Sequence, residues 1–143
     1  MKKLFTFCFF ILSASALSSE SYVYIIEPKD GSQVVNPVRV VFGLSGMGVA
    51  PAGVDKPGTG HHHLLIDLKQ LPDLTKPIPT DKNHIHFGGG QTETTLNLEP
   101  GNHDLQLILG NWFHVPHSIP LISKKITIEV KAVSYTHLTL PTN

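Results

Sequence analysis

The chain has one cysteine, Cys8, and it falls within the first nineteen residues. A domain beginning after them can form no disulfide and offers no thiolate to a metal. Neither sign of charge prevails. With Lys2 and Lys3 set aside, nine basic side chains face eleven acidic ones, a formal charge of −2. That excludes the basic footprint required by nucleic acid or an anionic membrane surface. Long apolar runs are missing too: the longest, Leu4 to Leu12, has nine residues, against the roughly 20 that a spanning helix needs. No helical periodicity, internal repeat or low-complexity tract is found beyond it.

What is present at the two ends sets the limits of the domain. MKKLFTFCFFILSASALSS, residues 1–19, reads as an export signal: a Lys2-Lys3 start, a short apolar run and the small residues Ala14-Ser15-Ala16. Cleavage near Ala16 or Ser18 predicts a periplasmic or secreted product. At the other end, VSYTHLTLPTN (133–143) breaks the preceding pattern and resembles a peptide translated from library-adapter DNA. Residues 132–143 are therefore read as a non-native tail, and His137 is set aside. Residues 20–131 form one domain with room for one modest core.

Within it, short apolar stretches alternate with turn chemistry. Tyr22 to Glu27 is rich in β-branched and aromatic residues and ends at Pro28-Lys29-Asp30-Gly31. Val38 to Leu44 alternates, with Val38, Val40, Phe42 and Leu44 on one face. His61 to Asp67, His84 to Phe87, Thr92 to Leu98, His103 to Leu109 and Lys124 to Val130 complete about seven strands. Glu99-Pro100-Gly101-Asn102 has Pro and Gly at the centre of a type II turn. Leu68 to Asn83 carries Pro72, Pro77 and Pro79 and no clean period, and it exceeds the usual connection length. The pattern predicts an all-β, immunoglobulin-like antiparallel β-sandwich.

Histidine is the abundant residue: nine, against eleven Lys and Arg together. They group as His61-His62-His63, His84-x-His86, His103 and His114-x-x-His117. Alternate residues of a strand share a face about 6.6–7 Å apart, so His61 with His63, and His84 with His86, can converge on one ion. His62 then points inward beside Leu64 and Ile66, although a register change would reverse this. His114 and His117 flank Val115-Pro116 in an irregular segment whose proline restriction lowers the entropy lost on ordering. His103, after the type II turn, reads as a corner residue that hydrogen-bonds backbone.

The candidate metal ligands are thus His61, His63, His84, His86, His114 and His117. Nitrogen donors without thiolate favour copper, zinc or nickel. Met47 is either a soft copper ligand or packing. Asp67, Glu93 and Asp104 are candidates to orient an imidazole. Gly88-Gly89-Gly90 lacks the Lys and following helix of a phosphate cradle and instead lets the backbone pass close to the histidines or turn.

The combined stretches GVAPAG, GTGHHHLLID, HIHFGGGQTETTL, LEPGNHDLQLILG and HVPHSIPLIS resemble a bacterial exported family described only as a domain of unknown function. The resemblance covers about residues 22–131 and brings no established activity. Some members carry a rod-shape-determining label, which reads as inherited mislabelling, because nothing here resembles a polytopic membrane protein. Three functions stay open. One is a metal-binding module using a copper or zinc ion for storage, delivery or sensing. The second is a metal-dependent oxidase or hydrolase, with Glu93 as its acid or base. The third is a metal-free adhesion module that contacts envelope proteins.

Overall fold

The computed structural model describes residues 20–132. The export segment, Cys8, His137 and the tail from residue 133 lie outside them. Among the described residues nine strands form: β1 (Tyr22–Glu27), β2 (Gln33–Val35), β3 (Val38–Ser45), β4 (Gly48–Val49), β5 (Thr59–Ile66), β6 (His84–His86), β7 (Glu93–Leu96), β8 (Gly101–Gly110) and β9 (Ile126–Lys131). They make two sheets, one ordered β1-β3-β7 and the other β2-β9-β8-β5-β4, with β6 pairing β5. Among the described residues no helix is long and apolar enough to cross a membrane.

The period-2 rows expected from the sequence meet between the sheets. Val23, Val38, Val40, Phe42 and Leu96 face Leu64, Ile66, Leu105, Leu107, Leu109, Ile128 and Val130, all buried in one cluster. The chain is therefore an all-β sandwich. Two strands beyond the expected seven appear because β2 and β4 are only three and two residues long. Each pairs parallel at a sheet edge, β2 with β9 and β4 with β5, a departure from an all-antiparallel pattern. Such stubs are too short to show alternation.

Along almost its whole length β5 breaks the rule of one wet face. All seven residues from Gly60 to Ile66 are buried. Its even positions enter the inter-sheet core, and Leu65 packs with Ile78 and Ile108 in a second cluster, joined by Leu68, Leu74 and Ile122. The proline-rich connection 68–83 thus supplies Ile78 as a lid over the outer face of the six-stranded sheet. The burial of β5 on both sides is what lets it hold three histidines away from water.

His103 occupies the corner expected of it. Its Nε2 donates to the Glu99 carbonyl at 2.8 Å, and its Nδ1 to Asp67 Oδ2 at 2.7 Å. Both partners are acceptors, so both ring nitrogens must carry protons. Burial alone would lower the pKa, but the bonds to Asp67 and Glu99 and their negative charge outweigh it and raise it. A base with a raised folded pKa adds stability that is complete below its unfolded value near 6.5 and is lost as pH rises through the folded pKa. His103→Asn should accordingly destabilise more at pH 6 than at pH 9. Urea denaturation at the two values measures it, and equal losses would contradict an imidazolium here.

Candidate metal centre

The histidine site lies on the outer face of the six-stranded sheet, where β5, β6 and the loop after β8 come together. Strand pairing opposes His63 to His86 and to Ile108, and His61 to Gly110. His61 and His63 therefore point out on the same face as His86. The loop 111–117 folds over them and contributes His114. Asn111 builds that loop: its Oδ1 accepts from the Phe113 and Val115 amides at 2.8 and 3.1 Å. The His114 amide donates to the Asn111 carbonyl at 2.9 Å, and the Ile78 amide to the His114 carbonyl at 2.9 Å. These bonds hold His114 at a left-handed φ of 65°, a conformation His tolerates better than most residues.

The four rings form one packed group. Centroids are 5.0 Å apart for His61–His63 and His61–His86, 5.1 Å for His61–His114 and 4.9 Å for His63–His86. His86–His114 is 4.6 Å and His63–His114 6.1 Å. One nitrogen from each ring lies within 4.8 Å of all the others. Metal–nitrogen bonds of about 2.0–2.1 Å set tetrahedral ligand separations of roughly 3.4 Å. The widest pair must close by only about 1.4 Å to reach that, a small rotation of two imidazoles.

Two glycines make the packing possible. A Cβ at Gly110 would stand 2.9 Å from His63 Nε2, and one at Gly88 would stand 2.3 Å from His86 Cε1. The backbone thus passes against each ring where any side chain would displace it, which accounts for Gly88 of the GGG run.

The group is starved of hydrogen bonds. His61 Nε2 faces His114 Nδ1 at 3.2 Å. His61 Nδ1, both nitrogens of His63 and His86 Nε2 are buried without a partner. An orphaned buried nitrogen costs about 1–3 kcal/mol, so four of them in one spot argue for a ligand. Electrostatics agree. Burial, followed by the neighbouring histidines, lowers His61 to a pKa of about 4 and His63 to about 3. His86 is lowered by burial and by His114. The rings of His61, His63 and His86 are therefore neutral lone-pair donors at physiological pH, the state a metal requires.

The other expected ligands sit elsewhere. His84 shares the outer face but lies one strand repeat away, opposite Leu65, with its Nδ1 tied to Asp81 at 2.8 Å. His117 is on the opposite side of β5, where its buried, unpartnered Nε2 packs against Gly60. Burial lowers its pKa. Met47 packs against the inter-sheet core rather than the cluster. None of the three carboxylates expected to orient an imidazole is at the site. Asp67 holds His103 and the Asp104 amide, Asp104 bonds Thr127, and Glu93 pairs with Arg39 on the other sheet.

His62 points inward as its parity predicts, its ring centroid 5.2 Å from that of Phe42. Burial lowers its pKa, weakly opposed by the Gln91 backbone, and that contact falls short of a hydrogen bond, for both ring nitrogens lack partners. Replacing an unsatisfied polar ring with a hydrocarbon removes a desolvation penalty of about 1–3 kcal/mol. His62→Leu should therefore raise the melting temperature of the metal-free protein and leave metal uptake unchanged. A loss of uptake would put His62 in the site.

An all-β sandwich carrying a four-imidazole cluster, two of its rings fully buried, defines the class of this protein. The chain belongs to the family described as "Domain of unknown function (DUF4399)", which matches residues 40–131 and so includes all four clustered histidines. No curated protein and no solved structure matches the chain.

Proposed function

We propose that this chain is an exported binding module, periplasmic or secreted, that holds one copper or zinc ion on His61, His63, His86 and His114 for storage, delivery or sensing. The observation that carries this is the convergence of four ring nitrogens within 4.8 Å of one another. Imidazole donors without thiolate suit copper and zinc. Export is supported by the signal-like residues 1–19. A binding role is favoured over catalysis because Glu93, the expected acid or base, is engaged by Arg39 on the other sheet. The immunoglobulin-like topology belongs to the same reading, and contact with envelope proteins belongs to the metal-free alternative.

Elemental analysis of protein purified without a tag, after separate exposure to Cu(II) and Zn(II), tests it. We expect one ion per chain, and none in His63→Ala/His86→Ala. Failure of the native protein to retain either ion would remove the reading and favour a metal-free interaction module.

A further inference from the structure

A centre built from four neutral imidazoles adds no charge to the ion it holds, so the loaded site keeps the full charge of the metal. Carboxylates that could offset this are committed elsewhere. Asp81 is bonded to His84, Asp67 to His103, Asp104 to Thr127 and Glu93 to Arg39. The group that converges is histidine alone. Burial is uneven around it. His61 and His63 are 0% exposed, while His86 and His114 are only half-buried and so mark the less enclosed side of the group.

We propose that the metal-loaded centre takes one small monoanion as an additional ligand on its His86–His114 side. This rests on the metal-binding reading above and adds the class of exogenous ligand. The reason is Coulombic. A dication with no anionic protein ligand, in surroundings of effective dielectric about 20 rather than 80, attracts an anion about four times as strongly as it would in water. The enclosed His61–His63 side leaves the other as the direction of approach.

The test uses the full chain loaded with Cu(II) and titrated with sodium azide, followed by optical and electron paramagnetic resonance spectra. We expect a new charge-transfer band that saturates at one azide per copper. Linkage sharpens the test, because an anion that binds the loaded centre must tighten the metal in return. Azide at ten times its dissociation constant should raise the apparent Cu(II) affinity about elevenfold. Stoichiometric copper uptake with spectra and affinity indifferent to azide would overturn this inference and leave the metal-binding reading standing. Absence of copper uptake would overturn this inference, and failure to take up zinc as well would overturn both.

Discussion

Addition of excess Cu(II) or Zn(II) to the metal-free protein should raise its melting temperature by roughly 15 °C, and His63→Ala should abolish that shift. An ion that binds the folded chain alone, at a thousand times its dissociation constant, adds about 4 kcal/mol of stability. A domain of this size converts each kcal/mol into roughly 4 °C. His63 is the decisive position because both its nitrogens are buried without partners and its ring touches those of His61 and His86. Its removal also leaves a cavity in the metal-free state, so the quantity to compare is the shift on adding metal within each variant, read by differential scanning calorimetry. His84→Ala and His117→Ala should keep the shift. Their rings are held respectively by Asp81 and by the opposite side of β5. A shift lost in either variant, or kept in His63→Ala, would show that the ion sits elsewhere.

That contrast also marks what the sequence could disclose. Alternation alone divides His61 and His63 from His62, because two faces and a period of two leave no other arrangement once β5 is a strand. The rows Val38-Val40-Phe42 and Leu105-Leu107-Leu109 were legible for the same reason, and they fix the sandwich. Alternation could not choose between His84 and His86. Both lie on the same face, and the choice depends on the register of β6 against β5, where His86 lands opposite His63 and His84 opposite Leu65. That register is set across the 68–83 connection, whose Asn83 side chain donates to the Ile66 carbonyl at 2.8 Å. The spacing of His114 and His117 was mute as well. Asn111 turns the chain so that one ring falls on each side of β5, and no periodicity encodes such a turn. The covering of the outer face went unseen because its lid residue, Ile78, stands between Pro77 and Pro79. The site accordingly lies on one sheet's outer face, roofed by loops.

Removal of metal should leave a protein that unfolds on mild acidification. His61 and His63 carry folded pKa values of about 4 and about 3, and those of His62, His86 and His117 are also lowered, burial being the largest cause in each case. The sign follows from which state binds protons. Above pH 6.5 the imidazoles are neutral in both states and contribute nothing to the pH dependence. Below it the unfolded chain takes up protons that the folded chain refuses, at up to about 1.4 kcal/mol per pH unit for each such group. The loss starts near pH 6.5 and continues towards the folded values of about 4 and about 3. By pH 4 the histidines together should remove several kcal/mol, comparable to the roughly 5–15 kcal/mol of a whole domain. His103, with its raised pKa, acts in the opposite direction, but it is one group against five. Bound metal replaces the protons as the partner of the lone pairs and should hold the fold to lower pH until protons displace it. Urea denaturation of chelator-treated protein in steps from pH 7.5 to 4.5 measures the slope. His61→Gln/His63→Gln should flatten it, since a glutamine side chain does not titrate in this range. A metal-free native protein whose midpoint stays constant across that window would mean that the rings are already charged or solvated, and a site made of such rings would lack the free lone pairs on which the metal-binding reading depends.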